Sequence, residues 1–233
     1  MRILVTRPPE DAQRTAAGLQ ARGHEAVVAP LVEIRFRDGP PLALENVQAI
    51  LATSANGVRA LARRTQRRDI PVFAVGPQTA ETAQQLGFLQ VKNAQGDAAA
   101  LAESAKRWAS PDGGALFHPG AAQAKGGLAE NLRMAGFTVV NEILYDAVPL
   151  SELPAAAADA LSSGMLDAAL LFSPRSARAL AEAVQRAGLV RACGGLEALC
   201  ISRATADALA PLRFRAIRVA ARPDQDAILA LLA

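Results

Sequence analysis

Six stretches of the chain place small or hydroxylated residues where an apolar run gives way to a helical pattern. They are Thr6-Arg7-Pro8, Thr53-Ser54-Ala55-Asn56, Gly76-Pro77-Gln78-Thr79, His118-Pro119-Gly120, Ser173-Pro174-Arg175-Ser176 and Ser202-Arg203-Ala204-Thr205. In an open parallel sheet such turns collect at the carboxyl ends of the strands, where backbone N–H groups and the positive ends of helices hold anions. Ser, Thr and Asn are equally the preferred helix caps, so any one turn alone reads as structure. Taken together, facing turns would line a cleft of neutral donors, suited to a ligand with several carboxylates and not to one deep apolar pocket. Tyr145 is the one tyrosine of the chain. A phenol donates a hydrogen bond or a proton without carrying charge at pH 7, although packing along its own strand is an equal explanation for it.

The familiar catalytic signatures are absent: there is no GxSxG, HExxH, GxxxxGK[ST] or strand-following GxGxxG, which counts against hydrolase and nucleotide-binding chemistry. Two cysteines, Cys193 and Cys200, and two histidines, His24 and His118, form no metal-ligand spacing and no disulfide framework, so no metal is expected. The net charge is +3, and 22 of the 25 basic residues are arginines, whose planar fork suits carboxylate oxygens. Aromatics at 4% supply no base-stacking platform, so no nucleic-acid partner is expected. The cluster Arg63, Arg64, Arg67 and Arg68 reads as a solvated helix end assisted by the dipole. No apolar stretch approaches membrane-spanning or signal-peptide length, so the expectation is a cytoplasmic protein with no membrane contact.

The elements that would hold these turns follow from the apolar pattern. Short runs such as ILVT, VQAILAT, VFAV, ALFH and LDAALLF alternate with helical stretches, one of them from Asn56 to Arg68, which is the signature of a parallel α/β sheet. With 53 alanines among 233 residues, helices can lie close on that sheet. The chain also matches itself: Leu51–Ala62 aligns with Leu170–Ala181 without a gap, and Ala74–Ala80 aligns with Cys200–Ala206, setting Thr79 on Thr205. A weaker pair sets ILVTRP and GHEAVVAPLVEI against ALFHPG and GFTVVNEILYDA. Such a long period means duplicated domains. Proline-flanked extended stretches suggest that the chain leaves one domain, completes the other and returns. One domain is therefore assigned to residues 1–33 plus 152–233 and the other to 40–142, with 34–39 and 143–151 as linkers able to pair as a two-stranded hinge. Two sequential domains split near residue 113 remain the alternative.

The ordered set Val5-Thr-Arg-Pro8, Pro30-Leu31, Thr53-Ser-Ala-Asn-Gly-Val58, Val75-Gly-Pro-Gln-Thr-Ala80, Gly136-Phe137, Tyr145 with Pro149, Phe172-Ser173 and Ile201–Ala206 resembles the uroporphyrinogen-III synthase family over the whole chain. The resemblance implies two flavodoxin-like parallel-sheet domains joined by a two-stranded hinge linker. It implies a lyase without a cofactor, acting in the biosynthesis of haem, sirohaem and cobalamin. Its substrate would be hydroxymethylbilane, a linear tetrapyrrole with eight carboxylates. Water would leave, the terminal D pyrrole would invert through a spiro intermediate, and the macrocycle would close. The expected partners are this small molecule and, transiently, the preceding bilane-forming enzyme; a monomer is expected.

By position, Tyr145 resembles the family's cleft tyrosine and is the expected catalytic residue, assisting departure of the hydroxyl. Thr79 and Thr205 match the family's paired threonines at helix starts, and with Arg7, Ser54, Asn56 and Ser173 they are the expected substrate-binding residues. Simple capping is the alternative for Ser54, Thr79 and Thr205. Ser202-Arg203 departs from the family's usual Gly-Pro, and His118-Pro-Gly with Lys125 stands where the family more often has an Arg-containing stretch. The competing function is a non-catalytic hinged two-domain module that binds an anionic metabolite. Such receptors are commonly exported, and the missing signal peptide counts against it.

Overall fold

The computed structural model of the chain describes residues 1–122 and 127–232. In chain order the elements are β1 (Arg2–Val5), α1 (Pro9–Gln20), β2 (Glu25–Val28), β3 (Val32–Phe36), β4 (Val47–Ala52), α2 (Ala55–Arg64), β5 (Val72–Ala74), α3 (Pro77–Gln85), β6 (Val91–Asn93), α4 (Ala98–Trp108), β7 (Ala115–Ala121), α5 (Leu128–Met134), β8 (Val139–Pro149), α6 (Ala155–Ser162), β9 (Ala168–Leu171), α7 (Pro174–Arg186), β10 (Glu197–Cys200), α8 (Arg203–Asp207), β11 (Ala216–Val219) and α9 (Gln225–Leu229). They divide into two units, residues 1–33 with 148–233, and residues 34–147.

The first unit holds a parallel sheet in the order β11-β10-β9-β1-β2. Its central strands are apolar without alternation because helices cover both faces. Leu4, Ala169 and Leu171 pack on one side with Leu180 and Val184. Their neighbours in sequence, Ile3, Val5 and Leu170, pack on the other side with Leu19 and Ile228. Alanine makes the close approach possible: α7 buries Ala177, Ala179, Ala181 and Ala183 against the sheet.

The second unit holds the order β3-β8-β7-β4-β5-β6, parallel from β8 to β6. Its core sets Leu51, Phe73 and Leu116 against Leu101 and Leu132, with Trp108 edge-on to Phe73 at 5.2 Å. The strand β3 runs antiparallel to β8: the Arg37 N–H donates to the Leu144 carbonyl and the Leu150 N–H to that of Leu31. The Arg37 guanidinium adds a two-pronged bond to Asp146, at 2.7 and 2.9 Å.

The internal repeat has a spatial meaning. It sets β4 and α2 on β9 and α7, β5 on β10, and β7 on β1. The first unit read as β2-β1-β9-β10-β11 and the second read as β8-β7-β4-β5-β6 are then one sheet entered by the chain at different strands. Counted from its own first strand, the first unit has the flavodoxin order 2-1-3-4-5. The second has 5-4-1-2-3 as the chain runs from β4, and becomes flavodoxin-like when counting starts at β7.

Two local expectations change. His118-Pro119-Gly120 is not a turn but part of β7, which stays paired with β8 through Ala121 after its register with β4 has ended at Phe117. Pro119, lacking an N–H, is tolerated where only one neighbour strand remains. The arginine cluster is a solvated helix end only in part, with Arg63 and Arg67 exposed and Arg64 and Arg68 half-buried. The helix α2 stops at Arg64 because Thr65 turns extended, and the guanidinium groups then satisfy backbone carbonyls. Arg64 donates to the carbonyls of Arg37 and Pro40, and Arg68 donates to those of Leu86, Thr65 and Ala62. Arg63 lies over the Phe36 ring and Arg68 over that of Phe88. A planar fork of five donors suits such fixed carbonyls.

Candidate functional site

The polar groups of the second unit converge at the carboxyl edge of its sheet. The chain leaves β4 at Thr53 and enters α2 through Ser54, whose extended backbone suits an N-cap. Ser54 Oγ accepts the Gly57 N–H at 3.0 Å and shares a hydrogen bond of 2.8 Å with Tyr145 Oη, in which either oxygen can donate. The helix start presses tightly on β7: a Cβ on Gly57 would stand 2.7 Å from the Pro119 carbonyl oxygen, which explains a glycine inside the first turn of a helix.

Tyr145 reaches this turn because β8 is irregular there. Gly120 pairs with Ile143 but Ala121 pairs with Tyr145, leaving Leu144 as an extra residue. Such a bulge breaks the alternation of faces and re-aims a side chain. Leu144 and Tyr145 are consequently both buried although adjacent. Hydrophobic periodicity assigns Tyr145 to the strand, but the register shift that points it at Ser54 carries no signature in composition.

Beside this pair stands a group that sequence reasoning did not assemble. Thr53 Oγ1 lies 3.1 Å from His118 Nε2, and His118 Nδ1 lies 3.2 Å from Asn141 Oδ1. Burial pushes the imidazole below its ordinary pKa, opposed by the bond to Asn141, so His118 is neutral at pH 7. The signal available was a Thr and a His at the ends of neighbouring strands; Asn141 is visible only once β7 and β8 are in register. Asn56 accepts from Arg59 at 2.7 Å and stays half-buried. Thr79 is buried in the first turn of α3, behind the Gly76 cap. Lys125 falls outside the described residues.

The first unit repeats the pattern without a tyrosine. Ser173 caps α7 by accepting the Ser176 N–H at 3.1 Å and bonds the Ser176 hydroxyl at 2.9 Å. Ser202 caps α8 and bonds Thr205 Oγ1 at 3.0 Å, with Thr205 fully buried. Arg7 is buried too. It donates to Thr15 Oγ1 at 3.1 Å and to Gln225 Oε1 at 3.0 Å, stands 3.4 Å from Asp11, and lies 4.1 Å over the Phe172 ring. Its guanidinium ties β1 to α1 and α9, which is a framework task. The structure thus brings Ser54 and Tyr145 together, and keeps Arg7, Thr79 and Thr205 inside their units.

Chemically, the second unit offers a phenol against a hydroxyl, a neutral imidazole and a helix cap, with no ionised group among these partners. Among the described residues, no group of three or more His, Cys, Asp or Glu could hold a metal ion, and no helix is long and apolar enough to cross a membrane. Two doubly wound α/β units, one a permuted copy of the other and both with hydroxyl-bearing turns at the carboxyl edge, define a two-unit parallel α/β protein. The family is specific: the chain belongs to the uroporphyrinogen-III synthase HemD family, whose model matches residues 13–230.

Solved structures share the fold. Uroporphyrinogen-III synthetase from Helicobacter pylori is similar at 17% identity and a TM-score of 0.65, covering 100% of this chain and 98% of that one. A mutant uroporphyrinogen III synthase from the extremely thermophilic bacterium Thermus thermophilus is similar at 18% identity and a TM-score of 0.54, covering 100% and 97%. No curated protein matches the chain in sequence.

Proposed function

We propose that this protein is a uroporphyrinogen-III synthase: it removes water from hydroxymethylbilane and closes the macrocycle with ring D inverted. The observation that carries the activity is membership of the HemD family over residues 13–230. The residue roles are supported by the hydrogen bond between Ser54 and Tyr145. In the first step the C–O bond of the hydroxymethyl group breaks. Tyr145 Oη–H gives its proton to the departing oxygen, water leaves, and the pyrrole nitrogen's electrons move to the exposed carbon to give an azafulvenium-like cation. Ser54 then donates its O–H to the phenolate oxygen while its lone pair holds the Gly57 N–H. Attack from the substituted carbon of ring D gives the spiro intermediate, which fragments and recloses at the free α-carbon of the same ring, and the proton that this carbon loses on regaining aromaticity returns to the phenolate.

A cation beside Tyr145 fits the neutral hydroxyl and imidazole there, because an imidazolium in their place would raise its energy, while the Arg59 guanidinium held by Asn56 suits a substrate carboxylate. The half-buried Ser54, Asn56 and Ser173 are the residues assigned to substrate carboxylates. Arg7, Thr79 and Thr205, being buried, hold the turns that present them. Selectivity asks little of this machinery: a 99:1 preference between two closures needs about 2.7 kcal/mol of barrier difference, which correct folding of the substrate supplies.

The test supplies purified protein with freshly generated hydroxymethylbilane, oxidises the products and resolves the porphyrin isomers by chromatography. A dominant type III isomer supports the proposal. Type I alone at the rate of the buffer control would overturn it.

A further inference from the structure

The bond between Ser54 and Tyr145 joins the end of β4 to β8 across the intervening strand β7, which lies between them in the sheet. A second link spans the same gap. His118 sits on β7 itself and touches both neighbours, with Nε2 on Thr53, which directly precedes Ser54, and Nδ1 on Asn141, four residues before Tyr145 on β8. The bonds have one consistent direction. Asn141 Oδ1 only accepts, so Nδ1 carries the imidazole proton; Nε2 is then bare and accepts the Thr53 hydroxyl. The residue after His118 completes the contact, since the Pro119 carbonyl is the surface against which Gly57 lays the start of α2.

We propose that His118, acting through Thr53 and Asn141 as a neutral Nδ1–H imidazole, is the positioning residue that holds the Ser54 turn and β8 at the separation required for the Ser54–Tyr145 hydrogen bond. The bulge at Leu144 is where this support acts. An extra residue leaves Leu144 without a partner on β7 and interrupts that ladder just before Tyr145, while the Arg37 N–H just past β3 still holds the Leu144 carbonyl. Serine, with a single rotatable bond to its oxygen, cannot follow a strand that drifts. The imidazole ties β8 on the amino-terminal side of the bulge, at Asn141, and ties the β4 end one residue before Ser54, so the hydroxyl pair closes a ring of contacts instead of bearing the geometry alone. Burial keeps the imidazole uncharged, as a site that must tolerate a cation requires. For catalysis the inference rests on the function proposed above; for geometry it stands without it.

The test exploits the single tyrosine and the two histidines. Nitrogen-15 spectra of the wild type, with His118 assigned by its loss in His118→Gln, should show a neutral Nδ1–H tautomer. The Raman doublet of Tyr145, which reads the donor and acceptor state of a phenol, should change in His118→Leu and return towards wild type in His118→Gln, whose amide oxygen can accept from Thr53. In turnover, His118→Leu should lower kcat about tenfold or more with KM changed less than about twofold, since a misplaced group costs rate more than binding. If His118→Leu does not fold, Thr53→Val, which keeps the size and removes the hydroxyl, should change the doublet in the same way. An Nε2–H tautomer, or an unaltered doublet in a folded variant, would overturn the proposal. A wild type that makes no type III isomer would remove the catalytic consequence, while the Raman and tautomer results would still decide the positioning claim.

Discussion

Removing one oxygen at a time separates what the Ser54–Tyr145 pair does for the fold from what it does for the reaction. Tyr145→Phe keeps the buried ring and deletes only the hydroxyl, and Ser54 Oγ retains the Gly57 N–H. The Ser54 hydrogen bond contributes about 0.5–1.5 kcal/mol to the expected loss of stability. Ser54→Ala loses the same bond together with the cap of α2, which adds about 0.5–2 kcal/mol. The double variant should therefore cost less than the sum, by a coupling of about 0.5–1.5 kcal/mol in urea unfolding. Turnover should behave differently: Tyr145→Phe should fall about tenfold or more, equivalent to at least about 1.4 kcal/mol of barrier, and the type I share should rise as uncatalysed closure competes. Wild-type rates in Tyr145→Phe would refute the proton-donating role. A stability cycle additive within about 0.3 kcal/mol would refute the hydrogen bond itself.

Gly57→Ala should destabilise the second unit by about 1–3 kcal/mol, because its Cβ would stand 2.7 Å from a backbone oxygen that cannot rotate away; an unchanged unfolding midpoint would contradict that packing. Burial pushes the Cys193 thiol up to about 11 and the Cys200 thiol up to about 12, so both should resist Ellman's reagent at pH 8 in the native protein and react on denaturation. Prompt labelling of the folded chain would count against this core. Since burial holds His118 below the ordinary imidazole value of about 6.5, the unfolded chain binds its proton more readily. Stability from this residue is then present above the unfolded value and lost as pH falls below it, towards the folded one. His118→Gln should flatten that part of a pH series of unfolding midpoints, and an identical acid slope in the variant would exclude the residue as its cause.

Element type was legible because the helices carry caps and the strands are unbroken apolar runs. Ser54, Asp97 and Ser173 each accept a backbone N–H at the start of a helix, and each stands just before a helical pattern. The arginine cluster misled because charge alone does not say whether water or a carbonyl will be the partner. Arg64 and Arg68 found carbonyls since the helix ends at Arg64 and not at Arg68, freeing chain to fold back on them. The site was legible in part. Tyr145 was conspicuous as the only phenol and Ser54 as a cap, but their meeting depends on a register shift between β7 and β8, which no local preference encodes.

The tyrosine has no counterpart in the first unit, although the segment that carries it does. In the first unit the strand equivalent to β8 is β2, which ends at Val28 and is followed by β3. In the second unit the equivalent strand continues to Pro149 without interruption, and in both units the chain passes from this segment into the other unit. The internal alignment sets Val32 of β3 where Tyr145 stands, so the second segment is distinguished by residue type and by the bulge before the tyrosine. The duplicated turns, Ser54 with Ser173 and Thr79 with Thr205, are what both units need as α/β sheets. Tyr145, the bulge that aims it and the His118 link that steadies it arise where the symmetry of the repeat is broken, which is also where a reaction with a single departing hydroxyl requires a single donor.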